Sequence, residues 1–113
     1  MDIGKDLVAA SATPIVLSIL AKGDSYGYEI IKSVRELSSG KMQWTDGMLY
    51  PVLHRLERQK LIKSYERVSD TGRKRKYYRL ETKGIKILEQ QQNQWSLVYS
   101  TLSQLWENKL CLT

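Results

Sequence analysis

Arg73, Lys74, Arg75 and Lys76 stand in an unbroken row within SDTGRKRKYYRLE, residues 69–81. A turn signal around Gly72 precedes them, and Tyr77 and Tyr78 follow. Four adjacent cations at a hairpin tip are suited to neutralising phosphates and releasing the counterions condensed on a nucleic acid. Taken alone, the row also fits a solvated turn or a nuclear localisation signal. The residues of covalent and metal chemistry are sparse by comparison. His54 is the single histidine and sits among cations; Cys111 is the single cysteine, with no base near it in sequence. There is no phosphate-cradling glycine loop, dinucleotide fingerprint or metal-ligand spacing. No enzyme activity, metal or cofactor is expected, and Cys111 reads as a spectator.

The positive charge is local. The 113 residues carry a net charge of +6, with a pI near 9.5. Between His54 and Lys86 there are 12 basic and 4 acidic residues, net +8; the remainder has 6 basic and 8 acidic, net −2. Such an asymmetry favours an acidic partner over one segment of the surface. A lone thiol suggests a reducing compartment. No leader pattern is visible, and no apolar run approaches the ~20 residues of a membrane span, so a cytoplasmic location without membrane contact is expected.

Elements that could hold the cations follow from period and punctuation. Leu7 to Leu20 reads as a helix that Pro14 either disturbs or restarts, with Thr13 as a cap and Gly23 as a stop. Asp24 or Ser25 caps a second helix, whose apolar positions Tyr26, Ile30, Val34 and Leu37 have helical spacing and which ends at Ser38–Gly40. Thr45 caps a third helix to about Lys60. Its apolar stripe is Leu49, Val52, Leu53 and Leu56; its opposite face carries Met48, Tyr50, His54, Arg55 and Arg58, with Pro51 early in the helix. Residues 62–68 and 76–80 read as antiparallel strands, with one of Tyr77 and Tyr78 turned inward. A further strand could lie at Met42–Trp44. Thr82 caps a last helix to about Leu110, ~42 Å long.

Three short helices, a hairpin and a long helix predict a mainly α fold with a small β-hairpin, a winged helix-turn-helix. Residues 1–81 would form a DNA-binding domain and residues 82–113 a C-terminal dimerisation helix. In that arrangement the third helix enters the major groove and the wing follows the backbone. Arg55 could donate two hydrogen bonds to a guanine edge, while Met48, Tyr50 and His54 touch edges or methyls, Arg58 meets DNA from the same face, and the wing cations meet phosphates.

Three stretches resemble the PadR-like transcriptional regulators: YGYEI at residues 26–30, GMLYPVLHRLERQKLI at 47–62 and GRKRKYYRLETKG at 72–84. The resemblance implies a homodimer on a palindromic promoter site, usually as a repressor of transcription, with Tyr50, Pro51, Arg55, Lys76 and Tyr77 at double-stranded DNA. The chain departs from the pattern at Lys60, where the family usually has a helix-ending glycine. A lysine there either takes a left-handed conformation or moves the helix end. It also departs at Gly47, which offers no side chain to a base.

Leu88, Trp95, Tyr99, Leu102 and Trp106 recur along the last helix like a coiled-coil seam, widened by Val98 and Leu105. A dimer interface is expected there, met by Leu7 and the small residues around Ala10 on the first helix. The segment NQWSLVY resembles the multidrug-responsive branch of the family. That likeness implies a flat aromatic small-molecule effector stacked at Trp95, with Tyr99 beside it, at the dimer centre. The nearest acids on the same helix are Glu89 and Glu107, so stacking and shape would outweigh charge. Two rival readings keep the fold: a protein- or small-molecule-binding module with only nonspecific nucleic-acid affinity, and an RNA-binding winged helix.

Overall fold

The computed structural model describes residues 3–111, with side chains described through residue 107. The chain runs α1 (Lys5–Lys22), β1 (Ser25–Tyr26), α2 (Gly27–Leu37), α3 (Asp46–Arg58), β2 (Ile62–Val68), β3 (Lys74–Leu80) and α4 (Thr82–Cys111). It is mostly helical, with one small antiparallel sheet of order β1-β3-β2. No helix among the described residues is long and apolar enough to cross a membrane.

The core is built by the predicted stripes except at the ends of the second helix, where Leu37 is exposed and Tyr26 belongs to β1. Val16, Leu17 and Leu20 of α1, Ile30 and Val34 of α2, and Leu49, Leu53 and Leu56 of α3 are buried together with Ile62 and Tyr78 of the sheet. Burial of about a dozen such side chains supplies the main stabilisation of a domain this small.

Several local expectations are corrected. Pro14 neither breaks nor restarts α1, which is continuous from Lys5 to Lys22. The carbonyl that loses its partner to proline is that of Ala10, an exposed residue, where solvent can satisfy it. The third strand is β1, not Met42–Trp44. Those residues are a connector that plants Trp44 in the core. Neither Asp24 nor Ser25 caps α2: Tyr26 holds the capping place, and Ser25 Oγ instead donates to Glu29 Oε1, 2.6 Å away. Likewise Thr82 is already helical, and the carbonyl of Glu81 accepts from the Ile85 amide. Thr45 does cap α3, its hydroxyl accepting from the Met48 amide at 3.3 Å.

Helix α3 ends on a strained residue. Lys60 has φ 62°, in the left-handed region. Its amide donates to the Glu57 carbonyl and the Leu61 amide to the Leu56 carbonyl. These are the paired bonds of a Schellman ending, formed here without the usual glycine. Immediately downstream, α4 crosses this turn at Gly84, where a Cβ would collide with the backbone carbonyl oxygen of Leu61. The close approach fixes where α4 leaves the domain. Leu88, one turn further along α4, is buried in the chain's own core rather than free for a partner, because it lies on the side of α4 that faces the domain. The side chain of Cys111 and the end of the helix near Leu110 lie outside the described side chains.

Candidate nucleic-acid interface

On α3, 100° per residue separates the side chains into two populations. Leu49, Val52, Leu53 and Leu56 are buried, while Gly47, Tyr50, Pro51, His54, Arg55 and Arg58 are exposed along one stripe. Met48 does not join that stripe. It is half-buried against the core, because position 48 lies one turn before Val52 on the flank of the apolar face. Arg55 is exposed, yet its guanidinium is committed: Nη2 donates to Thr13 Oγ1 of α1 at 2.7 Å. Tyr50 and His54 lie side by side, ring centroids 6.3 Å apart.

The hairpin is in full register from Ile62↔Leu80 to Val68↔Lys74. Its turn is closed by the Gly72 amide on the Ser69 carbonyl and by the Arg73 amide on Ser69 Oγ. Period-two alternation then sorts the cations. Lys74 and Lys76 share a face with buried Tyr78, whereas Arg75, Tyr77 and Arg79 share the outer face. Cations of both wing faces reach the start of α2 and Tyr50 of α3. Arg73, Lys74, Arg75 and Lys76 enclose a cleft of about 370 Å³ with Tyr26, Gly27 and Tyr28 at the start of α2 and with Tyr50 of α3. This cleft joins the two elements that the sequence proposes for DNA contact.

Tyr78 is fully buried, and its hydroxyl has no hydrogen-bond partner among the described residues. Burial, reinforced by Tyr50 and Glu57, pushes its phenol up to about 12. Tyr77 faces outward but is half covered: its ring lies 5.1 Å from Tyr26 and 5.9 Å from Tyr65, with the Arg67 guanidinium 5.1 Å from its centroid. Asp24 anchors this outer face by accepting hydrogen bonds from Tyr65 Oη and from Arg79 Nε. Those bonds hold the Tyr65 phenol above its usual range and raise Arg79. Sequence reasoning missed Asp24, Tyr26, Tyr65, Arg67 and Arg79 as a group. The cation–aromatic alternation Lys63-Tyr65-Arg67 and Arg75-Tyr77-Arg79 was the available signal.

A second concavity lies between α1, α2 and α4. Trp95 is half-buried on α4, its Nε1 donating to Gln91 Oε1 at 3.2 Å. It forms one wall of a groove of about 880 Å³ with Ile15 and Ile19 of α1 and Leu37 of α2. Asp24, Glu29 and Glu36 also line this groove. The carboxylates missing from α4 itself therefore arrive from α2 and the turn before it, beside Lys22 and with Asp24 already paired to Arg79 and Glu36 to Lys32. Beyond Trp95, Leu97, Val98, Tyr99, Leu105 and Trp106 are exposed, as is Leu102 at the margin, and Leu7 and Ala10 are exposed on α1. Among the described residues no group of acids, histidine or cysteine could hold a metal ion.

Comparison with known proteins agrees with this arrangement. The model of the PadR-like transcriptional regulator family matches residues 16–90. A transcriptional regulator of Clostridium thermocellum is 35% identical, with a TM-score of 0.81 over 90% of this chain and 96% of that one. A PadR family transcription regulator of Clostridium difficile is 37% identical, with a TM-score of 0.75 over 84% of this chain and 97% of that one. The transcriptional regulator YqjI of Escherichia coli is 33% identical over 84 residues, 74% of this chain but 39% of its own length. Helix order, wing register and the matched segment all converge: the chain belongs to the PadR-like family of winged-helix transcriptional regulators, which are not enzymes.

Proposed function

We propose that this chain acts as a homodimeric repressor that reads a palindromic promoter site and is released by a flat aromatic ligand. The cleft shared by Tyr50 and the wing cations is the observation that carries the reading. With Pro51, His54, Arg55 and Arg58 along the exposed stripe, it offers base-edge and phosphate contacts side by side. Residues 1–81 would bind DNA. Residues 82–113 would hold the dimer through Val98, Tyr99, Leu102, Leu105 and Trp106 against Leu7 and Ala10 of α1 in the partner. An apolar row of this length on an otherwise polar helix favours burial against a second copy. Two-fold symmetry would set the third helices ~34 Å apart, one DNA turn.

Trp95 and Tyr99 would stack on the ligand. Lys22 and paired acids line the groove, so stacking and shape would outweigh charge in selecting the ligand. Release requires the ligand to bind the DNA-free arrangement better than the bound one. A gel-shift titration against the chain's own upstream DNA and a scrambled fragment, at two salt concentrations, tests the reading. Selective binding with a steep salt response is the expected result. Equal, weak retention of both fragments would replace it with a binding module that keeps the fold alone.

A further inference from the structure

The groove beside Trp95 and the cleft beside Tyr50 share one short stretch of chain. Lys22, Gly23, Asp24 and Ser25 form a wall of the groove. The residues that follow, Tyr26, Gly27 and Tyr28, line the cleft. The chain passes from one to the other along β1, which joins the wing sheet through the pairs Ser25↔Tyr78 and Tyr26↔Tyr77. A strand this short has little stability of its own.

Side chains reinforce β1 from the groove end. Asp24 Oδ2 accepts from Tyr65 Oη of β2 and from Arg79 Nε of β3, the latter at 3.3 Å. One carboxylate oxygen thus clamps both strands of the wing to the groove wall. From there the packing is continuous to the cleft. The Tyr65 ring is stacked on Tyr77 at 5.9 Å, Tyr77 lies 5.1 Å from Tyr26, and the Arg75 guanidinium is 4.4 Å from the Tyr26 centroid. Tyr26 and Arg75 both line the cleft. The Asp24 side chain keeps 30% of its accessible surface, so the clamp can exchange its partners for solvent without unfolding the core.

We infer that the Asp24 clamp couples the Trp95 groove to the DNA cleft through β1 and the packed tyrosines behind it. A molecule seated in the groove bears on the wall from Lys22 to Ser25. Displacing that wall shifts Asp24, and with it Tyr65, Arg79 and the Arg75–Tyr26 pair at the cleft. Asp24 is a positioning residue that acts through these partners rather than by touching DNA. The inference rests on the DNA-binding reading above and supplies a route for its release step. Coupling between two sites is reciprocal, so DNA in the cleft acts back on the groove and no ligand is needed to detect it.

The test reads Trp95 directly. The chain is labelled with fluorotryptophan, and the Trp95 fluorine resonance is identified as the one lost in Trp95→Phe. Upstream promoter DNA is then added to saturation, with no small molecule present. Its addition should shift the Trp95 resonance of the parent. The shift should vanish in Asp24→Ala, which removes the clamp, and shrink in Tyr65→Phe, which removes one of its hydrogen bonds. Thermal melts and fluorescence anisotropy check that both variants are folded and bound to DNA. A Trp95 resonance that ignores DNA in the parent would overturn the coupling while leaving the DNA-binding reading intact. An undiminished shift in Asp24→Ala would also overturn it, by sending the signal along another route. So would a folded Asp24→Ala chain that no longer binds DNA, since Asp24 would then belong to the DNA contact itself. Failure of the parent to bind promoter DNA would remove both readings.

Discussion

The Arg55 guanidinium, on the exposed stripe of α3, is hydrogen-bonded to the Thr13 hydroxyl of α1 at 2.7 Å. The bond ties a candidate base-reading side chain to the helix that also carries Leu7 and Ala10. Arg55→Ala should weaken selective DNA binding by ~1–3 kcal/mol and blur sequence preference, because a bidentate guanine contact has that value. Thr13→Val removes the tether but keeps the guanidinium. It should leave stability within about 0.5 kcal/mol, as for other exposed pairs, and cost much less affinity than Arg55→Ala. Titrations of both variants on promoter DNA decide the matter. Equal losses would mean that Arg55 serves to join α1 and α3 rather than to meet DNA.

Lys74 points from the inner wing face into the cleft with Tyr50. A lysine on phosphate contributes affinity without sequence information. Lys74→Ala should therefore weaken promoter and scrambled DNA by the same factor and lower the salt slope by ~0.9 per chain. Binding isotherms at several salt concentrations read both quantities. A loss confined to the promoter would move Lys74 from the backbone to a base.

Tyr78 buries a hydroxyl that has no partner among the described residues, and its phenol is pushed up to about 12 from 10.0. A raised phenol means that the folded state resists ionisation. The contribution is fully present below the unfolded value near 10 and is lost as pH rises from about 10 towards 12. The raised Tyr65 acts in the same direction. Tyr78→Phe should match or exceed the parent's stability by up to ~1 kcal/mol near neutral pH, since an unsatisfied buried hydroxyl is removed. It should also lose less stability than the parent between about pH 9 and about pH 11. Urea melts at the two pH values measure the difference.

The junction after α3 yields a pair of opposite effects. Lys60 at φ 62° is a side chain in a conformation that costs ~1–2 kcal/mol outside glycine. Lys60→Gly should stabilise by ~1 kcal/mol or somewhat less, because glycine also loses more freedom on folding. Gly84→Ala forces a methyl onto the Leu61 carbonyl and Leu80 and should destabilise by ~1–3 kcal/mol. Thermal or urea melts compare both with the parent. A neutral Gly84→Ala would mean that α4 can lift from the turn.

How much of the fold and the site is legible in the sequence divides by physical scale. Helices α2, α3 and α4 announce themselves through repeated apolar spacing, and the hairpin through alternation on either side of a Gly72 turn. The left-handed Lys60 is also visible as one of two outcomes, because a helix-ending turn needs that conformation whatever residue fills it. Strand β1 is not legible: two residues have no period, and Ser25–Tyr26 becomes a strand only because β3 lies beside it. Spacing assigns Met48 and Leu88 to outer faces, but each sits on the margin of an apolar stripe where only tertiary packing chooses the side. The acids around Trp95 are hidden for a different reason. Asp24, Glu29 and Glu36 are some sixty to seventy positions away in sequence, and only the packing of α2 and α4 on α1 brings them together.

Packing at the start of α2 gives the last prediction. An added Cβ on Gly27 would meet Tyr50 Oη at 2.5 Å and Cζ at 3.0 Å. The Tyr50 ring therefore occupies space that only glycine leaves open, directly beside the wing cations. Because that obstacle is the tip of an exposed side chain and not backbone, Gly27→Ala should be absorbed by a swing of the ring. The expected stability cost is under ~1 kcal/mol, partly offset by the better helix propensity of alanine. DNA affinity should fall more than stability does, since the displaced phenol leaves the cleft. In the Tyr50→Ala background the same Gly27→Ala change has nothing to displace and should leave affinity unchanged. A double-mutant cycle read by both melts and DNA titration separates the two effects. Additive affinity losses would mean that Gly27 and Tyr50 act independently and that the ring position does not matter for binding.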